Sequence, residues 1–186
     1  MQKVCLFIIT CLMSVTALAF SPDKDSDNLS KEERRALQEQ QDSLDFELAK
    51  VAINEGYFVV TARQIRDTHG PMINVNETTN FVLVQGDVAT IQIALERGFS
   101  GQNGLGGITL EGKVTKVKIN EDKKGNINYS MSVLGSGISA EVYFTLPKGG
   151  RNCNATVDSN FSNCHITFSG ELHPYNTRVT MGKKIP

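Results

Sequence analysis

The chain has 186 residues, with 19 Lys and Arg against 20 Asp and Glu, for a net charge of −1. A balance so close to neutral gives no electrostatic reason to expect nucleic acid or an anionic membrane surface as partner. The length suits one packed core and is short for two.

Met1-Gln2-Lys3, the apolar run from Val4 to Leu12 and Ala17-Leu18-Ala19 before Phe20 are the three parts of a secretory signal peptide, here residues 1–19. The run is too short for a membrane span, so no integral span is expected. Cys5 and Cys11 would leave with the peptide, and no Cys stands at the cleavage point to carry a lipid. Residues 20–29, rich in Asp, Ser, Lys and Pro, read as a disordered linker.

Ser30 followed by Glu33 is a capping box, and the pattern predicts a helix from about Lys31 to Asn54 that stops at Gly56. Leu37, Leu44, Leu48 and Val51, with Gln41 in the gap, mark an apolar stripe expected to lie on a sheet. A partner-binding helix is the second reading, although the stripe is short for a coiled coil.

Beyond Gly56 the period changes to two, and residues 56–173 read as one antiparallel β domain with a tail at 174–186. Phe58, Val60 and Ala62 alternate with Val59, Thr61 and Arg63, and Gly86-Asp87 is a hairpin turn between two further strands. Ile108, Leu110 and Val114 share a face, but Val117 and Ile119 are out of phase with them, which predicts a β-bulge at Thr115 or Lys116. Ile127 to Val133, Ile138 to Leu146 and Cys164 to Leu172 alternate in the same way. The expected fold is mainly β, an antiparallel meander curled into a sandwich or barrel, with one N-terminal amphipathic helix.

Cys153 and Cys164 are the only cysteines after the signal peptide, and an exported pair reads as a disulfide staple on a hairpin. Catalytic patterns are thin. His165 and His173 lie eight residues apart on one strand face, about 26 Å at strand rise, too far to share a metal. Gly135-Ser136-Gly137 joins two strands and so is a turn, not a nucleophile elbow. Glu141 and Glu171 could face each other across strands, with nothing around them to indicate a raised pKa. No catalytic residue, metal site or cofactor is therefore expected.

The glycine-rich stretch from Gly98 to Gly107 leads into a strand, which argues against a phosphate loop. Its functional reading is a ligand-facing mouth loop, with Gly101, Gly104 and Gly106 at the mouth, Arg97 as polar anchor and Tyr143 as a lone aromatic platform. Lys113, Lys116 and Lys118, with Lys123 and Lys124, form a basic stripe of the kind that guards sheet edges. The five Asn-x-Ser/Thr sequons, at Asn28, Asn76, Asn128, Asn154 and Asn160, matter only in a host that glycosylates them.

Several blocks, taken in order, resemble a known family. They are Lys31-Glu32-Glu33-Arg34-Arg35, Thr79 to Asp87, Asn103 to Ile108, Asp122 to Asn126, Leu146 to Gly149, and Asn160-Phe161 leading to Thr167-Phe168-Ser169-Gly170. The chain from the helix onward is similar to the secreted bacterial proteins grouped as domain of unknown function 4251, typical of Bacteroides-like envelopes. The resemblance implies a periplasmic or outer-envelope location, which would make the sequons irrelevant, and it brings no activity, cofactor or catalytic residue. The Cys153 and Cys164 pair stands outside that pattern.

These readings converge on an exported, non-enzymatic binding or interaction module whose partner is a small molecule or an envelope protein. An apolar ligand held between sheet and helix would require a cavity lined by Phe58, Phe81, Met131 and Phe144. A solid core with an exposed apolar helix face would instead favour docking through the helix. A small hydrolase would need His165 and Glu171 to converge with a third polar group in a cleft.

Overall fold

The computed structural model describes residues 30–68, 70–94, 107–160 and 164–175. Residues 1–29, read above as signal peptide and linker, His69, most of the glycine-rich stretch and the residues beyond Tyr175 lie outside them.

Helix α1 runs Lys31–Glu55. Ser30 Oγ accepts from the Glu33 amide, and the Glu33 carboxylate accepts from the Ser30 amide, which completes the capping box. At the other end Gly56 adopts φ +74°, and its amide donates to the carbonyls of Ala52 and Ile53.

Nine strands follow among the described residues: β1 (Tyr57–Asp67), β2 (Ile73–Asn74), β3 (Phe81–Gln85), β4 (Val88–Ala94), β5 (Gly107–Glu121), β6 (Ile127–Gly135), β7 (Ser139–Leu146), β8 (Asn152–Ser159) and β9 (Cys164–Pro174). All pairings are antiparallel, and from β3 to β9 each strand pairs with the next in sequence. The sheet closes because β1 pairs β3 along one edge and β9 along the other. The result is an eight-stranded barrel, with the two-residue β2 added beside the far end of β1.

Closure requires β1 and β9 to approach closely at the β1 bulge between Ala62 and Gln64, where Ala62 faces Gly170. A Cβ on Gly170 would lie 1.8 Å from the Thr61 carbonyl oxygen, so only glycine fits. The bulge expected from the phase slip in β5 is present: Thr115 pairs Ser132 and Lys118 pairs Ser130, with Lys116 at φ +53° between them.

Inward residues fill the barrel. Phe58, Tyr129 and Phe144 form an aromatic cluster, with Phe58 edge-on to both partners at 5.3 and 5.6 Å and the other two stacked at 4.7 Å. The Tyr129 hydroxyl reaches Met131 Sδ at 3.5 Å, and burial pushes its pKa up to about 12. Phe81 is not part of this interior. It lies on the outer face of β3 with Val59 and Leu83, against a partly buried Tyr175, which explains why β3 reads as an unbroken apolar run.

Asn80 is fully buried and satisfied: its amide nitrogen donates to the Asn76 carbonyl and Thr79 Oγ1, and its side-chain oxygen accepts from the Ala94 amide at 2.7 Å. In the Asp122–Asn126 turn the Asp122 carboxylate accepts from the amides of Lys124 and Asn126 and from the Asn126 side chain. Those hydrogen bonds, with the Asn126 amide foremost, lower its pKa.

Candidate functional site

The chemistry of α1 divides it into two faces. Asp45, Phe46, Ala49, Ala52 and Ile53 are buried, and the four apolar members join the same core cluster as the barrel interior. The helix packs on β9 and β1. Alanines at 49 and 52 let the helix backbone come close while Phe46 and Ile53 fill the space on either side. Two ion pairs hold it in this orientation: Asp45 to Arg151 at 3.4 Å on one flank, and Lys50 to Glu121 at 2.7 Å on the other. Lys50 has a raised pKa, chiefly because of its bond to Glu121.

The stripe expected on the sheet is therefore not the packed one. Leu37, Leu44, Leu48 and Val51 are 52–58% exposed. At 3.6 residues per turn they sit roughly 120° around the helix from the buried face. The physical reason is size: four bulky γ- and β-branched side chains would hold the helix away from a position that the small residues allow it to occupy. With the exposed Gln41, the stripe occupies positions 37, 41, 44, 48 and 51, an alternating spacing of four and three. Of the first fourteen helical residues, Lys31 to Leu44, only Asp42 is even partly covered, so about 20 Å of helix extends beyond its contact with the barrel.

A second polar region lies on the outer barrel wall. Arg63 pairs with Glu171 and, at 3.6 Å, with Glu77; Arg151 reaches Glu171 at 3.8 Å, and His173 Nε2 approaches the same carboxylate at 3.4 Å. Burial lowers the pKa of His173, helped by the nearby Arg151 and opposed by Glu171 and Glu77. Beside this network is an open cleft of about 510 Å³, lined by Arg63, Gln64, Asn74, Asn152, Asn154 and Ser169 among others. Sequence reasoning missed Arg63, Glu77, Arg151 and Asp45 as a group, because four separate elements contribute them.

Of the candidate ligand-binding residues, Arg97, Gly101, Gly104 and Gly106 fall outside the described residues. Tyr143 is exposed on the outer face of β7, in a shallow cleft of about 450 Å³ with Lys118, Asn128, Thr145 and Thr156. Its hydroxyl bonds Glu141, which raises its pKa. Glu141 and Glu171 do not face each other: Glu141 opposes Asp158 and Ser132, whereas Glu171 opposes Asn152 and Thr61. His165 bonds Asp158 on the exposed outer wall instead of converging with Glu171.

The expected Cys153–Cys164 disulfide is absent. In the β8–β9 ladder Cys153 faces Gly170 and Cys164 faces Ser159. The two cysteines are thus six rungs apart, roughly 20 Å at strand rise, against a Cα separation of under about 7 Å in a disulfide. The hairpin turns later than the cysteine spacing suggested. Cys153 is a free, buried thiol, and burial pushes its pKa up to about 12.

Residues 40–172 match the family described as Domain of unknown function (DUF4251). Among solved structures, the chain resembles the 1.95 Å crystal structure of a DUF4251 family protein from Bacteroides eggerthii DSM 20697. The two are 38% identical, the TM-score is 0.65, and the match covers 73% of this chain and 91% of the other. No curated protein matches. The blocks that carried the resemblance include the Asn80 staple and the Asp122 turn, both structural. Family match, barrel topology and identity agree, and the chain belongs to the DUF4251 family.

Proposed function

We propose that this protein is an exported, non-catalytic interaction module of the cell envelope that docks through α1 onto an α-helix of its partner. The observation that carries the reading is the stripe Leu37, Leu44, Leu48 and Val51, left about half exposed on a helix already packed by another face. An alternating spacing of four and three is the seam that knobs-into-holes packing needs, and it is met by another helix with the same period, not by a flat sheet. The signal-peptide pattern of residues 1–19 supports export.

The filled barrel counts against an interior apolar ligand. Phe58, Met131 and Phe144 are buried in the core cluster, and the space among Ile91, Ile108, Leu110, Ile138 and Val157 is about 20 Å³, room for about one water molecule and far short of the roughly 300 Å³ of a small ligand pocket. The exposed His165–Asp158 and Tyr143–Glu141 pairs count against a hydrolase, because neither sits where water is excluded.

Photo-cross-linking from position 44, in cells, tests the docking reading, with Arg66 on the exposed outer wall as the control position. Protein adducts from position 44 and none from position 66 are expected. Absence of adducts from 44 would overturn the reading. In the same cells, the N-terminus of the envelope-fraction protein should begin at Phe20, and retention of Met1 would refute export by cleavage.

A further inference from the structure

We infer that the helix docked on α1 is α1 of a second copy of this chain, in parallel and in register, so that two barrels are joined by a short two-stranded coiled coil. This rests on the docking reading of α1 and identifies its occupant. The deciding residue is Gln41. It lies in the middle of the seam, with Leu37 before it and Leu44, Leu48 and Val51 after it, and it is exposed. Its Nε2 donates to Asp45 Oδ1 at 3.0 Å, but buried against a seam made only of apolar residues its carbonyl oxygen and second N–H would lose their water partners with nothing in exchange. In a parallel pair in register, Gln41 meets the same residue of the second copy, and each amide both donates and accepts in a single polar layer. One such layer within an apolar seam is the device that fixes register and strand number in two-stranded coiled coils. An antiparallel pair centred on Leu44 would set Gln41 against Leu48 and lose this match.

Three further features suit the same arrangement. The packed face of α1 is roughly 120° from the seam, so each barrel projects away from the other copy. The flanking positions next to the seam are Gln38, Asp45 and Ala52 on one side and Gln40, Glu47 and Asn54 on the other. Asp45 and Ala52 are buried against each copy's own barrel, and in parallel register Gln40 and Glu47 of one copy fall beside Asp45 and Ala52 of the other, so no like charges meet at the rim. Lys31 to Leu44 are exposed apart from the partly covered Asp42, and a helical segment of that length is marginal in water without packing. A second copy supplies that packing.

Sedimentation velocity on the mature chain from Phe20 over a wide concentration range tests this. The expected result is a concentration-dependent shift to twice the monomer mass, abolished in the double variant L44D/L48D, whose far-UV and near-UV circular dichroism should keep the barrel signature. A chain that stays monomeric at every concentration overturns the second-copy inference. If adducts from position 44 to another protein persist in cells, the docking reading survives that failure. A dimer that persists in L44D/L48D also overturns the inference, because it must use another surface. Register is read from L37C, with the wild-type chain as the control for the native cysteines. Oxidation should give a 37–37 cross-linked dimer, whereas linkage only between L37C and V51C in a mixture would refute parallel pairing.

Discussion

Barrel closure is most sharply tested at Gly170. The substitution G170A places a methyl carbon 1.8 Å from the Thr61 carbonyl oxygen, 2.8 Å from its carbon and 3.0 Å from Ala62 Cα. All three are backbone atoms of β1, so no side chain can swing aside, and β1 and β9 must separate by more than about 1 Å to restore contact distance. Overpacking of this kind costs about 1–3 kcal/mol. Separation also lengthens the ladder bonds at Thr61–Glu171 and Ala62–Gly170, worth about 1 kcal/mol each. The expected loss is about 4 kcal/mol, a large part of the total stability of a small domain. Urea unfolding followed by circular dichroism measures it, provided the slope of the transition is unchanged. The paired control is G137A: Gly137 has φ +80° and nothing within 4 Å of its Cβ position, so it should lose only the left-handed backbone term of about 1 kcal/mol. If G170A costs no more than G137A, the barrel is not closed by a tight β1–β9 approach.

The two faces of α1 should separate cleanly: F46A should cost the fold about 3 kcal/mol, whereas L44A should change monomer unfolding by under about 0.5 kcal/mol, and comparable losses would show that the helix has the opposite roll. His173 titrates below its ordinary 6.5 in the fold, so below that value the unfolded chain takes up a proton that the fold refuses. Stability should fall as pH drops from about 6.5 through the folded pKa, the variant H173N should lack that slope, and parallel pH profiles would refute the burial argument. With no disulfide, the unreduced chain from Phe20 should release two thiols in denaturant, and Cys153 should react slowly in the native state at pH 8 because its pKa is about 12. Zero thiols on denaturation would restore the bridge.

The strands were legible because a wall with one apolar face writes a period of two into the chain, from Ile127 to Leu146 above all. Even the β5 bulge was legible, as a phase error between Val114 and Val117. The limits of α1 were legible from Ser30, Glu33 and Gly56, whose roles depend only on neighbours in sequence. Its roll was not. The helix carries two apolar stripes, and the larger side chains of the Leu stripe drew the assignment, although the choice is made by the fit of small Ala49 and Ala52 to the barrel. The cysteine pairing failed for a related reason: a spacing says how far apart two residues are along the chain, but pairing depends on where the hairpin turns. The Arg63–Glu171–Arg151–Asp45 network is assembled by strand order and by the docking of α1 on the barrel, so no local signal exists for it.

The roll of α1 is the point at which fold and proposed function meet, because the same geometry that buries one stripe must expose the other. Turning the helix by roughly 120° to bury the leucines would expose Phe46 and Ile53, separate Asp45 from Arg151 and Lys50 from Glu121, and put bulky side chains where Ala49 and Ala52 now permit close approach. The two ion pairs are partly exposed, and each contributes little to stability. Their effect lies in choosing between two apolar faces of similar hydrophobicity, since a charge without its partner at the helix–barrel contact penalises the wrong roll more than the pair rewards the right one. Fixing the roll fixes the direction of the seam, and a seam that points away from the barrel can be met by another helix without any rearrangement of the fold.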